Sequence, residues 1–239
     1  LGSATNYQLS KAMWSSLNDL NYGELTWSMQ REQALYSHLP LLNFVGNHDV
    51  ARIASQLHQP QHYLHATAFL LLARGVPSIY YGDELGMEGR PGEGSCEFCG
   101  GDDAMRRPMP DVSHLVPPLQ ALSRTDGAAS AGLLARQLPW SVRVTKELIK
   151  LRETYPELFV HGELDSNVID HTGTRMALVR SNGNARVVIA FNSGHEAEHE
   201  WRLEGVKELL RPDTTFVECL TVPAYYSGSA EPTTPGGGA

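Results

Sequence analysis

Apolar residues recur at three- and four-residue spacing through residues 7–38, with Leu9, Met13, Trp14 and Leu17 on one stripe. This periodicity predicts helices in "NYQLSKAMWSSLND" and "YGELTWSMQREQALYSHL". A largely apolar run, "LLNFVG" at 41–46, then ends at a glycine. It reads as a strand covered on both faces, as in a parallel sheet. "HQPQHYLHATAFLLLARG" predicts a mostly buried helix stopped at Gly75, and "VPSIYY" at 76–81 a second short strand ended by "GDE". Helix, strand, helix, strand, with each strand emptying into a polar loop, is the pattern of βα units. Strands 41–46 and 76–81 are therefore expected to be parallel neighbours, with Asn47, His48, Asp49 and Glu84 at one end.

The texture then changes twice. Residues 82–139 are rich in Gly, Pro and Asp with little periodicity, and loops of that length are usually functional or mobile. "WSVRVTKELIKLRETYP" follows as an amphipathic helix carrying Val144, Leu148 and Leu151. Past about residue 160, a boundary placed to within roughly four residues, short segments alternate with period two: "LDSNVIDH", "TRMALVRS", "ARVVIAFN", "EHEWRLEG" and "TFVECLTVP". Turn chemistry such as "SNGN" and "NSGH" separates them. An antiparallel β domain over 162–226 is expected, packed on the helix at 140–155 through the face of Val187, Ile189 and Phe191. The tail "SGSAEPTTPGGGA" has too little apolar content to order itself.

Bulk properties narrow the function. A chain of 239 residues with 41% hydrophobic content can build one large domain or two modest ones. A net charge of −8, from 19 basic and 27 acidic residues, argues against a nucleic-acid partner. The longest apolar stretch is broken by Arg74, Gly75 and Pro77, short of the roughly 20 residues that span a bilayer, so no membrane partner is expected. Three cysteines, Cys96, Cys99 and Cys219, are too few and odd in number for a disulfide framework; a reducing compartment is favoured and a cytoplasmic location expected. "CEFC" has the spacing of a zinc or redox motif, but no second CxxC or HxxxH completes a metal site. Two loop thiols or a local disulfide is the preferred reading, and neither metal nor cofactor is assigned.

Asn47, His48 and Asp49 end a strand where parallel α/β folds place their ligands. The tripeptide alone is also explained by Asn47 and His48 capping the strand end and Asp49 starting a turn. The ordered set decides between these readings: "FVGNHDVARI", then "GVPSIYYGDELGM", then "GGDDAMRRPMP", then a β domain ending in "LTVPAYY". Together these resemble the C-terminal part of a glycoside hydrolase of the α-amylase family, over most of residues 5–226. The resemblance implies an α/β fold: the C-terminal portion of a (β/α)₈ TIM barrel over 1–160, an all-β antiparallel sandwich over 161–226, and a disordered tail over 227–239. It implies an α-glucan or α-glucoside substrate. Asp49 would be the third acidic residue of the site, binding sugar hydroxyls and steadying the transition state, and His48 would contact the same sugar. Asn47, Arg106 and Arg107 would also bind substrate, while Tyr81 and Glu84 would shape the pocket.

The residue types suit that chemistry. Retaining glycoside hydrolysis requires stabilisation of an oxocarbenium-like centre. A carboxylate accepting two sugar hydroxyls can hold the ring distorted, and His48 can donate to a hydroxyl in either charge state. Glu84 sits where a carboxylate meets a partner strand or an arginine in the barrel mouth. Arg106 and Arg107 reach either substrate hydroxyls or Asp102 and Asp103, and Tyr81 either stacks on a sugar or packs in the core. The family pattern often continues to a Gln-Trp pair where this chain has Pro110 and Asp111.

The family's nucleophile lies in a Gly-x-Arg-x-Asp segment, which these 239 residues lack. Its general acid, a Glu ending the fifth strand, has no counterpart either. With two strand–helix repeats present, roughly five to six strands of the barrel are missing. The chain is expected to be a fragment, inactive without the N-terminal half of the barrel as its partner. Alternatives are a transglycosylase or isomerase of the trehalose-synthase type, or a non-catalytic carbohydrate-binding or interaction module.

Overall fold

The helical periodicity of the opening segment is realised in the computed structural model, which describes residues 2–111, 139–164, 170–194 and 217–220. Helices α1 (Tyr7–Asn18) and α2 (Gly23–Tyr36) bury Leu9, Met13, Leu17, Leu25 and Met29, while Trp14 is only partly covered. Asn6 caps α1, its Oδ1 accepting from the Leu9 amide at 3.2 Å.

Strand β2 (Leu41–Phe44) lies between β1 (Ala4–Thr5) and β3 (Val76–Ser78), parallel to both. Leu41 faces Ala4 and Leu42 faces Val76 across the ladders. The expected parallel pairing of 41–46 with 76–81 is thus found, in shorter strands. The sheet also has a third member, β1, because two residues pair by position and need no periodicity. The crossover from β2 to β3 contains α3 (Ile53–Gln56) and α4 (His62–Leu72).

Asn43, the one polar side chain in β2, is 1% exposed and ties the sheet together. Its Oδ1 accepts from Asn6 Nδ2 at 3.0 Å, and its Nδ2 donates to the Arg74 carbonyl at 2.6 Å. Asn6 Nδ2 also donates to Glu32 Oε2 at 2.8 Å, and burial raises the pKa of that glutamate. Gly75 is required beside this network: at φ +113°, a Cβ there would lie 2.7 Å from both Asn43 Nδ2 and Leu41 O.

The C-terminal carbonyls of α4 and the residues just after it point at arginines. Arg180 of β6 (Arg175–Asn182) is fully buried, and its Nη1 donates to Leu72 O, Ala73 O and Phe159 O at 3.2, 3.1 and 3.0 Å. Its Nη2 donates to Gly162 O at 2.7 Å. From α5 (Trp140–Thr154), Arg152 donates to Leu71 O at 3.0 Å and Gly75 O at 2.8 Å. Cations here satisfy carbonyls that the helix leaves open and complement its dipole. Burial pushes the Arg180 guanidinium down to about 10.

The second sheet is antiparallel: β4 (Glu163–Leu164) and β5 (Asp170–Thr172) pair with β6, which also pairs with β7 (Ala185–Asn192) through a two-residue turn at 183–184. Its buried Met176, Leu178, Ile189 and Phe191 join the same core as α4 and α6 (Pro156–Phe159). Its main support differs from the expected one. Phe191 packs against Phe69 and His65 of α4, at ring distances of 5.9 and 6.5 Å. His62 and His65 meet the Ser193 and Asn192 carbonyls at 3.1 and 2.9 Å. The helix at 140–154 packs chiefly on α4, and α6, which touches it, reaches β6 and β7. Residues 195–216 and 221–239, carrying the other expected strands and the tail, lie outside the described residues, and 217–220 form no strand. No helix among the described residues is long and apolar enough to cross a membrane.

Arg180→Ala would leave four buried carbonyls without their donor. A loss of about 3 kcal/mol or more in unfolding free energy is expected, read as a lowered urea midpoint; an unchanged midpoint would show that the carbonyls find other partners.

Candidate active site

Residues 46–50 leave the sheet at the carboxyl end of β2, and Asn47 organises their turn. Its Oδ1 accepts from the Asp49 amide at 2.7 Å and the Val50 amide at 3.0 Å. The oxygen of Asn47 is therefore engaged in shaping the loop, the capping role that the tripeptide by itself suggested. The turn presents His48 and Asp49 outward, with side chains 62% and 55% exposed. His48 Nε2 lies 3.1 Å from Asp49 Oδ2. Arg106 Nη2 donates to Asp49 Oδ1 at 3.2 Å, and Arg106 Nε to the His48 carbonyl at 3.0 Å. Two neighbours thus orient an ionisable carboxylate that remains open to solvent.

Arg106 ends a 3₁₀ turn, Asp102–Arg106, and grips Asp49 rather than Asp102 or Asp103. Asp103 instead accepts from Ser95 and Cys96. Arg107 is exposed, and its carbonyl accepts from the Tyr81 hydroxyl at 2.7 Å. Tyr81 is 40% exposed, its ring edge-on to Tyr80 at 4.7 Å, so it does not pack in the core. The loop ahead of Arg106 is tied down at its start: the Arg52 amide donates to Gly89 O at 3.0 Å, and the Gly89 amide to Ser55 Oγ at 2.8 Å.

Beneath this surface lies an ion pair that the sequence did not reveal. Arg52 is 0% exposed and Asp83 3%, with Nη1 3.0 Å from Oδ1. The same guanidinium donates to Tyr81 O at 2.7 Å and Met105 O at 3.1 Å, and lies 4.4 and 4.9 Å from the ring centres of Tyr80 and Tyr81. The carboxylate meeting an arginine is thus Asp83, while Glu84 lies half-buried beside it. Only Oδ1 of Asp83 meets the guanidinium, and Oδ2 is buried without a hydrogen bond. Desolvation therefore outweighs the attraction, and burial pushes Asp83 up to about 7.

The α-amylase catalytic domain matches residues 3–127, more than half of the 239-residue chain. The chain belongs to the α-amylase family. Among curated relatives, the glucan 1,6-alpha-glucosidase of Streptococcus pneumoniae is 26% identical, the match covering 90% of this chain and 47% of that protein. An alpha-amylase of Saccharomycopsis fibuligera is 41% identical over 73 residues, 30% of this chain and 15% of that protein. The chain thus spans less than half the length of these relatives. The solved alpha-amylase of H. orenii superposes with a TM-score of 0.62 at 20% identity, over 81% of this chain and 39% of that one. That of Geobacillus thermoleovorans gives 0.59 at 20% identity, over 81% and 37%. This likeness is one of fold: the three parallel strands and their helices are a portion of the family's α/β barrel.

Asp83 holds a proton more tightly in the folded chain than in the unfolded one, where its pKa is near 3.9. Its contribution to stability is therefore greatest at low pH, declines as pH rises from about 4 to about 7, and levels off above. Asp83→Asn should remove that decline. Urea unfolding at pH 5 and pH 8 should show the difference between wild type and variant changing by on the order of 2–3 kcal/mol. A pH-independent difference would remove Asp83 from the titration.

Proposed function

We propose that this chain carries the transition-state-stabilising carboxylate and the sugar-binding groups of an enzyme that hydrolyses α-glucosidic bonds with retention, acting on an α-glucan or α-glucoside. The observation that carries the reading is Asp49: a solvent-open carboxylate at the carboxyl end of a parallel strand, held by His48 and Arg106. In this reading β1, β2 and β3 are the last three strands of an eight-stranded barrel, and β4–β7 belong to a β-sandwich. The nucleophile and the general acid come from residues outside these 239.

Each group then has a defined task. Asp49 accepts two adjacent hydroxyls of the sugar at the cleavage site, a contact that strengthens as the ring flattens toward the oxocarbenium-like state. Arg106 keeps Asp49 aimed, His48 donates to a hydroxyl of the same sugar, and Asn47 holds the turn that presents both. Tyr81 offers its exposed ring to a glucosyl face, Arg107 donates to hydroxyls, and Glu84 lines the loop below. A glucanotransferase is the second reading, favoured by 36% identity over 88 residues to the 4-alpha-glucanotransferase of Thermotoga neapolitana; there a sugar hydroxyl replaces water as the final acceptor.

The chain by itself should not hydrolyse maltose, starch or p-nitrophenyl α-glucoside. Combined with a polypeptide supplying the preceding barrel strands, it should become active. Asp49→Asn in that assembly should lower kcat by roughly 10²–10³-fold, and His48→Ala should cost about 1–3 kcal/mol of transition-state binding. Product analysis on maltose separates hydrolysis from transfer. Activity that survives Asp49→Asn would remove this residue from the mechanism.

A further inference from the structure

The loop between Gly89 and Asp102 carries "CEFCGGDD", residues 96–103, which the reading above does not use. Cys96 and Cys99 flank a 3₁₀ turn, Glu97–Cys99, ended by Gly100 in the left-handed region at φ +63°. Gly101, at φ +80°, continues the reversal and brings Asp103 back over the cysteines. The Cys99 amide donates to Cys96 Sγ at 3.1 Å, and the Gly101 amide to Cys96 O at 2.9 Å. Both sulfurs and one carboxylate oxygen of Asp103 lie within 4.8 Å of one another. We infer that Cys96, Cys99 and Asp103 form a binding site for a zinc-class divalent cation when the Cys96–Cys99 disulfide is reduced.

Three features fit a chelate. The carboxylate is fixed before any metal arrives: Asp103 Oδ2 accepts from Ser95 N and Oγ at 3.0 and 3.1 Å, and Oδ1 from Cys96 N at 3.0 Å. Gly94 leaves it room, since a Cβ there would lie 1.8 Å from Asp103 Oδ1. The Cys99 amide on Cys96 Sγ fixes the position of that sulfur in the loop. The spacing of cysteines alone pointed away from zinc for want of a second half-site; the third ligand instead comes from a carboxylate that the Gly100–Gly101 reversal folds back.

In the structure the two cysteines form a disulfide, with Cα atoms 5.4 Å apart. Cystine and chelate exclude each other. A dithiol reductant attacks one sulfur, breaks the S–S bond through a mixed disulfide, leaves as its own cyclic disulfide, and delivers two electrons and two protons as two thiols. A divalent cation then displaces both thiol protons to solvent, binds two thiolates and the carboxylate, and takes water as its fourth ligand. Thiolates select zinc over calcium or magnesium. Asp103 and Arg106 belong to the same 3₁₀ turn, so either closed state supports the residue that grips Asp49.

The test is cobalt(II) titration of the whole chain, anaerobically, after reduction with a dithiol and its removal by desalting, followed by displacement with zinc. One cobalt per chain is expected, with a thiolate-to-cobalt charge-transfer absorption that zinc abolishes and that the oxidised chain never shows. Cys99→Ser should remove the band, and Asp103→Asn should weaken binding at least tenfold. Cys219→Ser should leave both unchanged, and circular dichroism should show every variant folded. A reduced chain without the band would overturn the site, as would a band undiminished in Cys99→Ser or binding unchanged in Asp103→Asn. None of these readouts depends on glycosidase activity.

Discussion

A guanidinium with no access to water, that of Arg52, fixes the loops at the carboxyl ends of the strands. It sits three residues beyond Asp49 in the chain and holds the turn after β3 through Asp83 and the Tyr81 carbonyl, and the segment before Arg106 through the Met105 carbonyl. Taking such a cation out of water costs several kcal/mol. The hydrogen bonds and the faces of Tyr80 and Tyr81 offset part of this, while one Asp83 oxygen remains without a hydrogen bond. The arrangement is better suited to specifying position than to adding stability. Because Met105 is held, the next residue, Arg106, reaches Asp49; because Arg52 is held, the turn carrying Asp49 cannot drift from it.

The molecule separates two uses of charge. Arg52, Asp83 and Arg180 are buried, and their partners are oxygens or a guanidinium of loops and helix ends. His48, Asp49 and Arg106 are at least two-fifths exposed, and their mutual contacts leave room for a ligand. A pair as exposed as Asp49 and Arg106 contributes little to folding. Its geometry is set instead by the buried layer below it, and a functional group can be kept open to solvent on that support.

The end of α4 does for the core what Arg52 does for the loops. Arg152 and Arg180 arrive from α5 and β6, so the α4 terminus joins the parallel and antiparallel sheets. Phe69, His62 and His65 on the same helix extend the joint to β7. One apolar core runs through both parts, and the antiparallel sheet rests on α6 and, through Phe69 and Phe191, on α4.

Periodicity alone located α1, α2, α4 and α5, because an amphipathic or wholly apolar helix repeats its pattern over several turns. β2 and β3 were legible as apolar runs stopped by glycine or a polar loop, and their parallel pairing followed from the helix between them. The ordered motifs identified the family and singled out Asp49. Elsewhere the partners were decided by approach in space. β1 is too short to carry a pattern, and Asn47 turned its oxygen to its own backbone. Asp83 rather than Glu84 met an arginine, since adjacent residues point in different directions and only the folded turn selects between them. Asp103 joined the cysteine loop because two left-handed glycines reverse the chain there. A sequence states which groups are available along one dimension; hydrogen bonds and ion pairs depend on distances of about 3 Å between segments far apart in it, and those distances are set by the packed core.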